Sequence, residues 1–347
     1  MARVIDPPSA PSSPSADAPP FDAPPLDRVP LVVPPAAIGA RWPIVIVGAT
    51  ATGKSDLALA LAEALDGEIV NADALQVYRG FDIGTAKPNA AMRARVPHHL
   101  IDICAPTEPY SAGRFADEAR AAIAAIRARG RWPLVVGGSG LYVRALLEGI
   151  RPLPPADAAV RARLDARLAD EGLPALHAEL TRSDPATAAR LAPADRQRIL
   201  RALEVLETSG RPLSEQLRET PFGVTRLPAI RLGLTLPRQL LYDRISFRVG
   251  RMMHAGWLEE IRRLLRQGVP TDAPAFQAIG YRQLFAHLAG HGTLDAALDD
   301  IIRATRRYAK RQRTWFRKEK DIRWLSAAAI SDHIQPLLRV LGGSTRP

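Results

Sequence analysis

The sequence has only one cysteine, Cys104, in 347 residues. A single cysteine excludes a disulfide framework and a zinc site built from cysteines, and it favours a reducing compartment. Continuous apolar runs of about 18 residues, the length that a membrane-spanning helix needs, are also missing. The sequence therefore predicts no membrane partner.

The first 42 residues lack a periodic apolar pattern and contain 11 of the 31 prolines. Such a segment cannot bury enough apolar surface to fold, so we expect residues 1–42 to be a disordered Pro/Ala-rich extension. The segment has neither the apolar core of a secretory signal nor the arginine-rich, acid-poor composition of a transit peptide. This composition predicts a cytoplasmic location.

Charge is strongly unbalanced, with 47 Lys and Arg against 36 Asp and Glu and a formal net charge of +11. This balance favours a polyanionic partner such as nucleic acid, although many basic proteins bind none. Residues 303–323 hold ten Lys or Arg against two acids, on a predicted helix that begins near Leu294 and includes interleaved aromatics. Such a helix suits phosphate contact and base stacking. The alternative is a helix that packs one face on the core and leaves its arginines in solvent.

Residues 48–55, Gly-Ala-Thr-Ala-Thr-Gly-Lys-Ser, match the phosphate-loop pattern. The motif follows an apolar β-branched run at residues 44–47 and precedes an Ala/Leu-rich helical pattern, which is the order that the motif requires. Backbone N–H groups and the helix N-terminus would face a diphosphate, Lys54 would neutralise its charge, and the Ser55 hydroxyl would ligate Mg²⁺. The pattern does not specify which ligand binds or which bond breaks.

Short apolar runs alternate with helical patterns along the rest of the chain, which predicts a parallel sheet with helices on both faces. Further strands are expected at residues 68–71, 99–103, 134–136 and 230–236. The predicted fold is α/β, a P-loop NTPase-like parallel sheet flanked by helices, with an all-helical insertion domain. The expected domains are the extension 1–42, the first part of the core at 43–150, the insertion at 151–225, the second part of the core with basic C-terminal helices at 226–330, and a tail at 331–347.

Two features follow predicted strands, at the sheet edge where open α/β sheets bind ligands. Asp73 would be a general base or an outer ligand of Mg²⁺, unless it is only a surface turn residue. Residues 137–140, Gly-Gly-Ser-Gly, would let the backbone approach a ligand closely.

Asp102 would either bind magnesium or act as a structural hydrogen-bond acceptor. His98 and His99 have no third ligand at a spacing typical of metal sites, so we expect them to be packing or hydrogen-bonding residues.

Seven motifs stand in a fixed order along residues 43–325. They are the phosphate loop, Asn-Ala-Asp-Ala-Leu-Gln-Val-Tyr at 71–78, Asp-Ile-Gly-Thr-Ala-Lys-Pro at 82–88, Gly-Gly-Ser-Gly-Leu-Tyr at 137–142, Gln-Arg-Ile-Leu-Arg at 197–201, Ala-Ile-Gly-Tyr-Arg-Gln at 278–283 and Lys-Arg-Gln-Arg-Thr-Trp at 310–315. Together they resemble the tRNA dimethylallyltransferase, or tRNA isopentenyltransferase, family, and the 82–88 run is the most specific of them. The lone cysteine points to the bacterial type without a zinc finger. Ala74 departs from the Asp-Ser pair that many members have at this position, so a hydroxyl contact there is absent.

The resemblance implies transfer of a dimethylallyl group from dimethylallyl diphosphate to N6 of the adenosine 3′-adjacent to the tRNA anticodon, with release of diphosphate. It implies Mg²⁺ as cofactor, Ser55 as its ligand, Asp73 as general base, and Thr50 as a second catalytic residue that contacts the diphosphate. A monomer is expected. The implied diphosphate-binding residues are Gly48, Ala49, Thr50, Ala51, Thr52, Gly53, Lys54, Ser55 and Arg244. The implied tRNA-binding residues are Asp73, Ala74, Leu75, Gln76, Ser139, Arg161, Gln197, Arg198, Ile199, Leu200, Arg201, Ala278, Ile279, Gly280, Tyr281, Arg282, Gln283, Lys310, Arg311, Gln312, Arg313, Thr314, Trp315, Phe316 and Arg317.

Three other functions remain as alternatives at this point. A phosphate-loop kinase explains the loop and Asp73 but leaves the basic C-terminal segments without a role. A prenyltransferase acting on free AMP or ATP would not need the helical insertion. A nonenzymatic RNA-binding protein would have no use for Lys54, Ser55 and Asp73 together.

Overall fold

The computed structural model describes residues 33–150, 153–219 and 226–342. The chain divides into two compact units, one containing the residues up to Leu147 and from Leu227 onward, the other residues 148–226. The prediction of disorder for residues 1–32 lies outside the described residues.

Six strands form one sheet within the described residues. They are β1 Ile44–Gly48, β2 Gly67–Asn71, β3 His98–His99, β4 Trp132–Gly137, β5 Ile230–Thr235 and β6 Arg323–Ser326. All neighbouring pairs are parallel, in the order β3-β2-β4-β1-β5-β6. The predicted parallel sheet is therefore confirmed.

Helices flank the sheet in the first unit and make up the second. In chain order they are α1 Pro35–Gly39, α2 Lys54–Ala64, α3 Ala90–Arg95, α4 Ala112–Ala128, α5 Gly140–Glu148, α6 Ala158–Ser183, α7 Pro185–Ala188, α8 Arg196–Ser209, α9 Leu213–Glu219, α10 Arg238–His254, α11 Trp257–Arg266, α12 Tyr281–Leu288, α13 Leu294–Phe316 and α14 Ile330–Leu341. A 3₁₀ turn covers Pro274–Gln277.

The central strands are buried along their whole length, as expected for a parallel sheet covered on both faces. On one face, Ile44 and Ile46 of β1 pack in a cluster with residues of α2, α10 and α14. On the other face, Val45 and Val47 pack with residues of α4, α5 and the end of α13. The alternation along β1 thus builds two cores, one on each face of the sheet.

Three predictions at element boundaries are wrong. The strand expected at residues 99–103 is only two residues long, because Leu100 and Asp102 have φ of 60° and 58° and leave the extended conformation. Residues 35–39, within the segment expected to be disordered, form α1, and Ala37 is buried in the core. The expected tail contains α14, which packs Leu337, Leu338 and Leu341 into the same core.

The second unit has a core of its own. Its described residues form helices and no strand, with Leu164, Leu176, Leu180 and Leu203 fully or almost fully buried. The α6 helix is kinked at Gly172, whose φ is 79°. Across both units, no helix in the described ranges is long and apolar enough to cross a membrane.

Candidate active site

A cavity of about 1180 Å³ lies in the first unit, where the carboxyl ends of β1, β2 and β4 meet. The phosphate loop lines it through Thr50, Ala51, Gly53, Lys54 and Ser55, and Asp73 lines it beyond β2. The 82–88 segment, α10 and α13 complete the wall. The structure therefore brings together the three sequence features that the sheet topology predicted to converge, the phosphate loop, Asp73 and the turn after β4, since Gly137 and Gly138 also line this cavity.

The phosphate loop takes the strand, loop, helix form that its sequence predicts. Gly53 is the N-cap of α2 with φ of 88°, a conformation that favours glycine. Gly48 is required for another reason, since a Cβ there would lie 2.6 Å from the Leu234 carbonyl oxygen. The Thr52 hydroxyl donates to the Ala49 carbonyl at 2.8 Å and closes the loop.

Lys54 and an arginine outside the predicted set place positive charge at this loop. The Lys54 amine donates to the Ala49 carbonyl at 2.7 Å, and the Arg248 guanidinium donates to the Thr50 hydroxyl at 3.2 Å. Burial, aided by the nearby charge of Arg248 and opposed by Asp73, lowers the pKa of Lys54 to about 8. Burial also lowers the pKa of Arg248. Positive charge at the phosphate loop favours an anionic ligand there.

Arg248 was missed by the sequence reasoning, which selected Arg244. Both lie on α10, four residues apart and therefore on one face, and both line the cavity. Only Arg248 contacts the phosphate loop by a hydrogen bond. The four-residue spacing from Arg244 was the sequence signal that could have identified Arg248.

Asp73 is held by its own turn. Its Oδ1 accepts from the Leu75 backbone N–H at 2.9 Å, and its own N–H donates to Asn71 Oδ1 at 3.2 Å. No hydrogen bond from a described residue reaches its Oδ2, and the side chain lines the cavity that the phosphate loop lines. One carboxylate oxygen thus fixes the orientation while the other remains available to a ligand.

Residues 82–88 all line the cavity and are fixed from behind. The Glu260 carboxylate, 5% exposed, accepts from the N–H groups of Asp82 and Ile83 at 3.0 and 2.9 Å. It also accepts from the Tyr281 hydroxyl at 2.6 Å, which in turn accepts from the Gly84 N–H at 3.1 Å. Burial and the adjacent Glu260 raise the pKa of Tyr281 well above its ordinary value.

Lys87 closes the same segment from its other end. Its amine donates to the Tyr78 carbonyl at 2.8 Å and pairs with Asp82 and Asp102, each at 2.6 Å. Asp102 also pairs with Arg93 at 2.7 Å, and these partners, against the effect of burial, hold its pKa below the ordinary value. Of the two roles open for Asp102, the structure supports the structural one. His99 likewise contacts Glu68 at 2.6 Å, which gives it a structural partner.

The glycines of the 137–140 turn permit close approach of neighbouring protein groups. A Cβ at Gly137 would lie 2.1 Å from the Ala72 carbonyl oxygen, and one at Gly138 would lie 2.2 Å from Gln312 Nε2. A Cβ at Gly140 would lie 2.3 Å from the Trp315 ring. Gly137 and Gly138 also line the cavity, so the expected close approach of this turn to a ligand stays a prediction.

The residues predicted to bind tRNA divide by exposure. Exposed members in the first unit are Arg282, Lys310, Arg311, Thr314 and Arg317, and in the second Gln197 and Arg198. Buried members are Ile199, Leu200, Ala278, Gly280, Tyr281, Gln283, Gln312 and Phe316. The half-buried members are Asp73, Ala74, Leu75, Gln76, Ser139, Arg161, Arg201, Ile279, Arg313 and Trp315.

Several buried or half-buried members already have protein partners. Gln283 accepts from the Gly280 N–H at 2.8 Å and donates to Asp300 at 3.1 Å. Gln76 donates to the carbonyls of Thr85 and Ala86 at 3.1 and 3.2 Å. Arg201 pairs with the buried Glu204 at 2.9 Å.

The residues around the phosphate loop fit a magnesium ion. In the described ranges no group of three or more His, Cys, Asp and Glu side chains could hold a metal alone. Mg²⁺ in phosphate sites is commonly held by one or two protein oxygens together with the phosphate oxygens. The exposed Ser55 hydroxyl in the first turn of α2 is such a donor, and Asp73 lines the same cavity.

The chain matches two family models, IPP transferase over residues 76–319 and isopentenyl transferase over residues 44–96. A tRNA dimethylallyltransferase of Geobacter sulfurreducens is 48% identical over 300 residues, covering 86% of this chain and 96% of the relative. Another, of Thiobacillus denitrificans, is 51% identical over 313 residues, covering 86% and 99%. The chain belongs to the tRNA dimethylallyltransferase family.

Solved structures agree with this assignment. The tRNA isopentenylpyrophosphate transferase of Bacillus halodurans is 38% identical with a TM-score of 0.62, covering 87% of this chain and 97% of that one. A eukaryotic dimethylallyltransferase acting on tRNA is 29% identical with a TM-score of 0.68, covering 84% and 75%. The predicted family and P-loop NTPase-like fold are confirmed. As tRNA dimethylallyltransferases are prenyltransferases named for action on tRNA, the kinase, free-nucleotide and nonenzymatic alternatives lose their support.

Proposed function

We propose that this chain transfers the dimethylallyl group of dimethylallyl diphosphate to N6 of the adenosine 3′-adjacent to the anticodon of tRNA and releases diphosphate. The observation that carries the proposal is the single cavity lined by Lys54, Thr50 and Asp73. A cationic phosphate loop and a carboxylate with a free oxygen are what this transfer requires. The cavity volume of about 1180 Å³ exceeds that of a typical single-ligand pocket, so the cavity has room for the donor and for the adenine base of the acceptor.

The diphosphate end of the donor would bind at the phosphate loop. Charge builds on the departing diphosphate as the carbon–oxygen bond breaks, and preorganised donors stabilise it. Lys54, Arg248 and the loop N–H groups supply these donors, with Arg244 on the same face of α10 as a further contact. Ser55 would hold Mg²⁺, which supplies Lewis-acid neutralisation of the diphosphate charge when bound.

The acceptor nitrogen would react at Asp73. The adenine amine is a weak nucleophile and must lose a proton as its bond to the prenyl carbon forms. Oδ2 of Asp73 accepts that proton, while Oδ1 stays bound to the Leu75 N–H and keeps the carboxylate oriented. The Thr50 hydroxyl, oriented by Arg248, would contact the diphosphate on the other side of the reacting carbon.

The RNA would be held by the exposed basic residues. An adenine stacked in an anticodon loop cannot reach a cavity at a sheet edge, so the base must flip out of the stack. In the first unit Arg282, Arg311 and Arg317 are exposed for phosphate contact, and Arg311 also lines the cavity. In the second unit Gln197 and Arg198 are exposed. Phosphate contacts position RNA, whereas contacts to base edges would specify the sequence.

Apart from Gln312, the remaining predicted tRNA contacts, including Ser139, Arg161 and Arg201, are retained as part of this proposal. The site would lie within one chain, so a monomer suffices for the reaction. Since its substrate is tRNA, we place the protein in the cytoplasm. Both statements are open to direct measurement by sedimentation and by cell fractionation.

A donor test decides this function. The purified protein is incubated with Mg²⁺, unmodified tRNA with an adenosine next to the anticodon, and either dimethylallyl diphosphate or ATP, and the RNA is weighed by mass spectrometry. We expect a mass gain of one prenyl group with the diphosphate donor alone. Consumption of ATP on a small acceptor, without any gain in RNA mass, would instead identify a kinase.

A further inference from the structure

Gln312 lies on the basic helix α13 but points its amide away from solvent. The side chain is 5% exposed, whereas the adjacent Arg311 is exposed. Gln312 Oε1 accepts from the Thr50 backbone N–H at 2.9 Å, and Gln312 Nε2 donates to the Gly138 carbonyl at 2.9 Å. One side chain thus joins the phosphate loop after β1 to the turn after β4, the neighbouring strand.

The contact depends on a glycine. A Cβ at residue 138 would lie 2.2 Å from Gln312 Nε2, too close for both to keep their positions. Gly138 and Gln312 are 174 residues apart in sequence. The Gln312 amide can approach the Gly138 backbone this closely because residue 138 has no side chain. The pairing gives Gly138 a role within the protein in addition to its place on the cavity wall.

The turn that Gln312 holds extends the connection toward Asp73. Ser139, directly after Gly138, accepts through its hydroxyl from the Ala74 N–H at 3.2 Å, next to Asp73 in the chain. Gln312 therefore contacts the phosphate loop on one side and, on the other, the turn that binds the Asp73 segment.

The phosphate loop needs such support. Ala51, directly after Thr50, has φ of 64°, a left-handed conformation that is uncommon for a residue with a side chain. Strained backbone persists where the surroundings determine it, and it often lies at binding sites. The Thr50 N–H bond to Gln312 fixes the Ala49–Thr50 peptide, one residue before this strained position.

We infer that Gln312 is a positioning residue of the donor site and not an RNA contact. It holds the phosphate loop in the conformation that receives the diphosphate of the donor, and through the Gly138–Ser139 turn it keeps the loop in register with the Asp73 segment. Both hydrogen-bonding groups of its amide are used within the protein, so contact with RNA falls to exposed neighbours such as Arg311. The inference rests on the proposed function, since the ligand of the loop is taken to be that donor.

The first test measures donor binding without tRNA. Calorimetry with dimethylallyl diphosphate and Mg²⁺ compares the wild type with Gln312→Ala, and Gln267→Ala, an exposed glutamine outside the cavity lining, is the matched control. Leaving the buried Thr50 N–H and Gly138 carbonyl unpaired should weaken donor binding by about 10- to 100-fold. The control should bind as the wild type does.

The second measurement separates the two faces of α13. Filter binding of tRNA should be unchanged within about twofold in Gln312→Ala, because the exposed cations remain, and weakened about fivefold or more in Arg311→Ala. Gln312→Glu keeps the acceptor for Thr50 but sets an oxygen against the Gly138 carbonyl, so it should not restore donor binding. Because Gln312→Glu preserves the size of the side chain, it also keeps the test decisive where Gln312→Ala does not fold.

The outcomes separate the proposed prenyl-transfer function from the positioning role of Gln312. A wild type that binds no dimethylallyl diphosphate would remove the proposed function itself. A wild type that binds it, together with a folded Gln312→Ala that binds it equally well, would overturn the positioning role alone. Loss of tRNA affinity with full donor affinity would make Gln312 an RNA contact and also overturn the inference.

Discussion

At the scale of the residue, the cavity contrasts two kinds of polar side chain. Asp73 and Lys54 line the cavity with charged groups that the reaction needs, whereas Glu260, Tyr281, Lys87 and Gln312 hold backbone groups of the cavity wall. The first kind acts on the ligand, and the second kind fixes the geometry of the site. Motif matching alone does not separate them, because Lys87, Tyr281 and Gln312 stand in motifs just as Lys54 and Asp73 do.

Replacing Asp73 by asparagine should remove the base and keep the turn. Asparagine Oδ1 can still accept from the Leu75 N–H, so the fold and tRNA affinity should change little. Turnover should fall by about 10² or more, the scale of lost general-base catalysis. The measurement is single-turnover prenyl transfer, with Asp243→Asn, an exposed aspartate of α10 outside the cavity lining, as control. A near-normal rate in Asp73→Asn would remove Asp73 from the mechanism.

Lys54 makes donor binding depend on pH. With a pKa of about 8, its amine is charged in most molecules below that pH and neutral in most molecules above it. Binding of an anionic diphosphate favours the charged form and should raise this pKa. Donor affinity should therefore fall as pH rises through 8.

Proton uptake measures the same effect directly. At pH 8 about half of the amines are neutral, so binding of dimethylallyl diphosphate should take up about half a proton. Calorimetry in buffers of different ionisation enthalpy gives this number. Lys54→Ala should bind more weakly and lose the uptake; an equal uptake in this variant would assign the titration to another group.

At the scale of the element, β2 carries a buried carboxylate at its base. Glu68 is 2% exposed and bonds to Arg129 at 2.6 Å and to His99 at 2.6 Å. The bonds from Arg129, with help from His99 and against burial, lower its pKa to about 2. This network joins β2 to β3 and to the segment that follows α4.

The free energy of unfolding should depend on whether Glu68 is ionised. Because its folded pKa lies below the unfolded one, its contribution is complete above about pH 4.5 and is lost as pH falls toward 2. At about 1.4 kcal/mol per pKa unit, Glu68→Gln should lose up to about 3 kcal/mol of unfolding free energy at pH 7. Urea unfolding at pH 7 and pH 3 measures the loss, which should shrink at the lower pH.

A surface pair provides the comparison for this prediction. Glu63 pairs with Arg95 at 2.6 Å, with both side chains substantially exposed. Glu63→Gln should cost less than about 1 kcal/mol, since water screens exposed pairs. Equal losses in the two variants would contradict the view that burial makes the Glu68 network important.

At the scale of the whole molecule, the helical unit leaves and rejoins the sheet unit at one place. The Leu227 N–H donates to the Leu147 carbonyl at 2.8 Å, so the two ends of the first unit meet. The second unit has its own buried cluster around Leu164 and Leu203. Such an arrangement is typical of an insertion that can be removed without opening the host core.

Removal of residues 148–226 should therefore separate donor binding from RNA modification. A short Gly-Ser linker from Leu147 to Leu227 should leave dimethylallyl diphosphate affinity within about threefold, because every residue lining the cavity lies in the first unit. Prenyl transfer to tRNA should fall by about 10² or more, as the contacts predicted at residues 197–201 are lost. Calorimetry and RNA mass spectrometry measure the two effects. Full transfer activity would show that the insertion is not needed for tRNA.

The sequence by itself determined the family, the parallel sheet and the position of the phosphate loop. These depend on local patterns: apolar runs set the strands, and glycine, lysine and hydroxyl spacing sets the loop. It also selected Asp73, because a residue directly after a strand of an open α/β sheet lies at the ligand edge. Boundaries such as β3 and α1 were missed, since they depend on single backbone angles and on packing.

Only the tertiary structure decided which side chains face the cavity and which support it. Gln312 and Gly138 are far apart in sequence, and Glu260 binds Asp82 and Ile83 across 177 or more positions. Such pairs carry no local signal, because each partner makes sense only when helices and loops close on the sheet. The sequence places the reactive groups; long-range packing fixes the backbone that makes them reactive.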